Sequence, residues 1–230
     1  GDAHQARFVH PLLDRLPAPA GAGTAPAAPS AQGHLAMFPR PATEEARAGP
    51  APAAGEYLLV DTEEKLDQLI EELSKAPVIA FDTETTSLSP MRAELVGISQ
   101  CGEIGRAFYL PAGHVQGRQL PLSLIRSKLG PLLRDEKTVK AAHNAIYDLI
   151  VLRRHEFQVN GPLFDTMIAG WLIDPASRDL GLKGMAWTRL GLEMTPISEL
   201  IGSGKHQDNM ADVPITRAAP YAAADADMTL

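Results

Sequence analysis

Residues 78–88 read VIAFDTETTSL, and this stretch constrains the chain more than any other. An apolar run opening on Val and Ile reads as a buried strand. It runs into Asp82-Thr83-Glu84. Side chains of a strand alternate between faces, so Asp82 and Glu84 point the same way. Two like charges held a few ångströms apart raise each other's proton affinity unless something positive lies between them. The pair therefore either leans into solvent or holds a cation.

The text around this strand predicts an α/β domain over residues 56–230. EYLLV reads as a short strand, and DTEEKLDQLIEELSKA as an amphipathic helix capped at Asp61 or Thr62, with Leu66, Leu69, Ile70 and Leu73 on one stripe. ELVGISQC and GRAFYLPAG read as two further strands of an antiparallel meander. LSLIRSKLGPLLRDE is helical up to Gly130-Pro131, where a break or kink is expected. TVKAAH then leads as a strand into the helix NAIYDLIVLRRHEF, and the remainder is mainly helical, with breaks at Asp174-Pro175, Gly202-Ser203-Gly204 and Pro214. Strands with helices woven around them imply a mixed central sheet flanked by helices.

Residues 17–55 are dominated by Ala, Pro and Gly and lack side chains to bury, which predicts a disordered, flexible linker. Ahead of it, ARFVHPLLDRLP is too short to fold alone, so residues 1–16 read as the tail of a preceding domain. The chain opens on Gly1 and stops at Leu230 without a helix-stop signal, and is read as a piece of a longer polypeptide.

A net charge of -7 argues against a stand-alone, high-affinity nucleic-acid binder, which needs clustered Lys and Arg. It is compatible with an enzyme whose acidic site takes up cations. The single cysteine, Cys101, excludes a disulfide within the chain and suits a reducing cytosol. It reads as a small buried apolar residue at a strand end. No apolar run reaches the length of a membrane span.

Acidic residues gather in three separated segments. Asp82 and Glu84 share a strand face. Asp148 follows Asn144 by four residues on an expected helix, so the two are read on one face. In PYAAADAD, Tyr221 and Asp225 have the same spacing on another. Taken singly, each is an ordinary surface acid or half-buried aromatic. Together they suit phosphodiester hydrolysis by two divalent ions, Mg²⁺ or Mn²⁺, because such ions take oxygen ligands and need neither His nor Cys. Asp227 is read as an exposed helix acid, and Trp171 and Trp187 as core. His143 has both a substrate-contact and a packing reading. His114, His155 and His206 have no zinc-ligand spacing. Lys205, in GSGKH, is a candidate phosphate contact.

FDTETTSL, HNAIYDLIVL and YAAADAD, with FDTMIAGWLI and LIGSGKHQ between the last two, resemble the 3′–5′ proofreading exonuclease domain of bacterial family A DNA polymerases. These belong to the DEDD exonucleases with a tyrosine in the third motif. The resemblance implies a ribonuclease H-like fold and removal of 5′-mononucleotides from the 3′ end of single-stranded or frayed DNA. It implies that Asp82, Glu84 and Asp225 hold one metal ion, that Asp82 bridges to a second assisted by Asp148, and that Tyr221 orients the attacking water. Leu88 matches a position that wedges against the terminal bases, Asn144 one near the terminal nucleotide, and Thr85 a contact near the 3′ end. The implied partner is the polymerase domain of the same parent chain, and the implied setting a monomer in the bacterial cytoplasm, associated with the nucleoid. A ribonuclease D-like RNA-trimming enzyme and an inactive structural module stay open as alternatives.

Overall fold

The computed structural model describes residues 55–204 and 207–230. The expected tail over residues 1–16, nearly all of the expected linker over 17–55, and Lys205 and His206 lie outside them. Six strands, β1 (Glu56–Leu59), β2 (Val78–Thr85), β3 (Leu95–Glu103), β4 (Arg106–Pro111), β5 (Val139–Ala142) and β6 (Leu163–Asp165), form one mixed sheet in the order β1-β4-β3-β2-β5-β6. β2, β3 and β4 are the antiparallel meander expected from sequence, while β1, β5 and β6 add to it in parallel.

Helices cover both faces. Ile79 and Phe81 of β2 enter one core with α1 (Glu63–Leu73), α2 (Leu122–Arg134) and α3 (Ala145–Arg154). Ala80, one residue out of phase, enters the other with Ala223 and Ala226 of the last helix, α7 (Ile215–Thr229). A strand that is apolar on successive residues is thus buried on both sides. Three short helices, α4 (Thr166–Ile173), α5 (Leu182–Met185) and α6 (Ser198–Ile201), precede α7.

α1 forms as its pattern predicts. Thr62 caps it by accepting a hydrogen bond from the Lys65 amide at 3.3 Å, and Leu66, Leu69 and Leu73 are buried. α2 differs from expectation, because it continues through Gly130-Pro131 to Arg134. Proline excludes the helical conformation of its predecessor mainly by clashing with a Cβ. Gly130 has none, and the one helical bond lost is that from the absent proline N–H to the Ser127 carbonyl, four residues back.

Trp171, Trp187 and Asp227 lie otherwise than their sequence pattern predicts. Trp171 and Trp187 are about half exposed, at 51% and 55%, and so are not core. α4 docks through Gly170, where a Cβ would come within 2.7 Å of the Met185 methyl group, so its larger side chains face outward. Asp227 is not an exposed acid but is buried. Ala222, Ala223 and Ala226 let α7 lie close on the sheet, so both of its flanks are covered. The Asp227 carboxylate accepts hydrogen bonds from the Tyr57 hydroxyl at 2.9 Å and the Gly105 amide at 2.7 Å. It thereby ties α7 to β1 and to the β3–β4 turn. An Asp227→Ala variant leaves two part-buried donors without their acceptor, which costs about 3 kcal/mol. Calorimetry should show a Tm lower by about 10 °C; an unchanged Tm would contradict the latch.

Candidate active site

β2 delivers its two carboxylates at the end where its pairing with β3 slips between Glu84 and Thr85. Such an irregularity re-aims a strand end. Asp82 and Glu84 face α7, and oxygen atoms of Asp82, Glu84 and Asp225 lie within 4.8 Å of one another. Tyr221, one helical turn before Asp225, is buried beside them. Asp148 comes from α3 on the opposite face of the sheet, and its Oδ1 accepts from the Thr83 amide at 3.0 Å and the Thr83 hydroxyl at 2.6 Å. All five residues line one groove of about 650 Å³.

The electrostatics are those of a site in which buried acids outnumber cations. Burial, with repulsion from Asp148, Glu84 and Asp225, raises Asp82 well above the ordinary carboxylate range. Burial, then the charge of Asp225, pushes Glu84 up to about 8. Burial pushes Asp148 up to about 7, against the hydrogen bonds from Thr83. Asp225 is raised by burial and lowered by Lys183. Among the described residues the converging ligand atoms are carboxylate oxygens, which fits a hard divalent cation rather than zinc held by His or Cys. Burial and the Asp225 charge raise the Tyr221 hydroxyl far above its ordinary range, so it stays protonated.

The expected substrate residues reach the same groove by different routes. Leu88, in the loop after β2, lines the groove and is 97% exposed. The Thr85 hydroxyl donates to the Ser87 carbonyl at 3.2 Å and meets the Tyr147 hydroxyl, which also donates to the Ser87 carbonyl. Asn144 lines the groove but not on the helical face expected for it. It is the residue before α3, with φ 59° in the left-handed region. Its side chain is exposed, and the helical spacing from Asp148 therefore does not apply. His143 lines the groove while its Nδ1 shares a hydrogen bond of 2.8 Å with the Thr166 hydroxyl.

Sequence reasoning missed three residues. Asp165 caps α4 through the Met167 and Ile168 amides and also accepts from the amides of Asn144 and Ala145, which fixes the turn into α3. Tyr147 braces the loop after β2. Lys183, on α5, donates to Asp225 Oδ1 at 3.2 Å and lies 4.1 Å from the Tyr221 ring centre. The Asp at the N-cap of α4 was a legible helix-start signal; nothing in the spacing of Lys183 pointed to the site.

A family model described as 3′–5′ exonuclease matches residues 57–230. The chain belongs to this 3′–5′ exonuclease family. It is 38% identical over 222 residues to the DNA polymerase I of Chloroflexus aurantiacus, covering 96% of this chain and 23% of that protein. With the DNA polymerase I of Pseudomonas aeruginosa it shares 33% identity over 186 residues, 79% of this chain and 20% of the other. The chain thus spans about a fifth to a quarter of the length of these curated relatives. Among solved structures it is similar to Brucella melitensis NrnC with bound Mg²⁺, at 25% identity and a TM-score of 0.55, covering 76% of this chain and 75% of that one. It is also similar to Trypanosoma brucei RNase D in complex with RNA U12, at 19% identity and a TM-score of 0.61, covering 75% and 60%. The latter likeness concerns the fold alone. The mixed sheet with helices on both faces is the ribonuclease H-like fold of these exonucleases.

Proposed function

We propose that the domain hydrolyses the terminal phosphodiester of single-stranded or frayed DNA from the 3′ end, releasing nucleoside 5′-monophosphates, as the proofreading part of a DNA polymerase I. The observation that carries this reading is the convergence of Asp82, Glu84 and Asp225 within 4.8 Å, in a chain of the 3′–5′ exonuclease family. Asp82, Glu84 and Asp225 would hold one Mg²⁺, and Asp82 with Asp148 a second. Two such ions lower the pKa of a bound water and neutralise charge at the leaving oxygen.

The protein's own groups supply position. Thr83 orients the Asp148 carboxylate through two hydrogen bonds. Tyr221, held protonated, serves as a hydrogen-bonding group that orients the attacking water and not as a base. Leu88 separates the terminal bases, while Thr85 and Asn144 contact the last nucleotide. The polymerase domain of the parent chain would supply the duplex affinity that a chain of net charge -7 lacks. The setting is the bacterial cytoplasm, at the nucleoid, with one copy acting alone; among the described residues no helix is long and apolar enough to cross a membrane.

Tyr221→Phe keeps the ring and removes the hydroxyl. Single-turnover kinetics should show the hydrolytic step slowed by about 10- to 100-fold, with binding of the 3′ end little changed. An unaltered rate would remove Tyr221 from the mechanism. The substrate is tested by chromatography of the products from DNA and RNA oligonucleotides of one sequence. The reading expects 5′-monophosphates from DNA and slower release from RNA; faster release from RNA would assign the enzyme to RNA trimming instead.

A further inference from the structure

Lys183 is not used by the mechanism above, yet it enters the site. Its ammonium group donates to Asp225 Oδ1 at 3.2 Å and stands 4.1 Å from the Tyr221 ring centre, so it meets both residues that α7 contributes. Its charge favours the ionised form at Asp82, Glu84 and Asp225. About a third of its side chain is still exposed, at 32%, whereas that of Asp225 is 13% exposed. The ammonium therefore lies at the border between the acidic cluster and solvent, on a long flexible stem.

We propose that Lys183 is a displaceable internal counter-ion: its ammonium neutralises Asp225 while the acidic cluster holds no divalent ion, and turns to a phosphate oxygen of the DNA when that ion takes its place. This rests on the metal-dependent reading of the site. The chemistry follows from charge. One carboxylate oxygen contacting a divalent ion gains little from a second cation at the same spot, and the two cations repel. The released ammonium retains three N–H donors and faces a polyanion, with which a lysine pairs as a point charge. Lys183 thus binds in competition with the metal and in concert with the substrate.

The two halves give effects of opposite sign in one variant. In Lys183→Met, titration of Mn²⁺ into the DNA-free protein at about pH 8, followed by calorimetry, should give a Kd tighter by about tenfold, the equivalent of about 1.4 kcal/mol. KM for a single-stranded oligonucleotide at saturating metal should rise several-fold and depend less steeply on salt, by roughly one phosphate contact. Lys183→Arg should restore KM. A Mn²⁺ affinity that is unchanged or weaker, in a variant with wild-type Tm and circular dichroism, overturns the counter-ion role. A tighter Mn²⁺ site with an unchanged KM and salt slope overturns the handover to phosphate. The Mn²⁺ titration needs no nuclease activity. Failure of the exonuclease reading would instead appear as inactive wild-type protein with the Lys183 effect on Mn²⁺ affinity intact.

Discussion

Asp82→Ala should lower the rate of 3′-nucleotide release by on the order of 10³-fold or more, with KM for the oligonucleotide changed far less. Asp82 feels the charges of all three other carboxylates of the cluster, Asp148, Glu84 and Asp225. Its removal takes a ligand from both proposed ions together, whereas loss of Asp148 removes one that is already engaged by Thr83. The same substitution relieves repulsion among buried acids, so the metal-free variant should melt at or above the wild-type temperature. A variant that is less active but more stable is the pattern expected of a site that stores electrostatic strain. An active Asp82→Ala protein would contradict the proposed ligand set.

The second large effect is on stability against pH. In the folded protein Glu84 is pushed up to about 8 and Asp148 up to about 7, with Asp82 and Asp225 raised as well. Groups whose proton affinity is higher folded than unfolded favour folding while they are protonated. That contribution is complete below the ordinary carboxylate range, near pH 4, and is lost as pH rises through the folded values toward about 8. In EDTA, Tm should therefore fall by about 10 °C between about pH 5 and about pH 8. Bound Mg²⁺ favours the ionised carboxylates and reverses the sign: its stabilisation should be small at the acid end. At the alkaline end it should approach about 3 kcal/mol when the ion is at a hundred times its Kd. A Tm that is flat with pH in EDTA, or a magnesium increment that does not grow with pH, would contradict this electrostatic account.

The residues that repeat with a period were legible in the sequence. VIAFDTET shows its own strand, and the stripe Leu66-Leu69-Leu73 its own helix, because burial follows from spacing alone there. The convergence of Asp82, Glu84 and Asp225 was legible only through the joint motif, since no local rule brings β2 and α7 together. Where spacing misled, the cause is a neighbour that sequence does not display. Asp227 and Asp225 are two apart on one helix, yet both are buried, because the alanines between and before them let α7 sink onto the sheet. Asn144 looked helical from its distance to Asp148, but the turn held by Asp165 puts it in the left-handed region before the helix starts. Trp171 is apolar and helical yet exposed, because α4 packs through its glycine. Lys183 belongs to a four-residue helix whose placement no periodicity encodes.

The central claim is that the acidic groove is a metal-dependent 3′–5′ exonuclease site. It is tested most directly with a 5′-labelled single-stranded DNA oligonucleotide, incubated with the protein in Mg²⁺ and, in parallel, in EDTA, and resolved on a denaturing gel. In Mg²⁺ a ladder should shorten one nucleotide at a time from the 3′ end, and in EDTA the oligonucleotide should stay intact. A ladder that persists in EDTA, or an oligonucleotide left intact by folded protein in Mg²⁺, would contradict it.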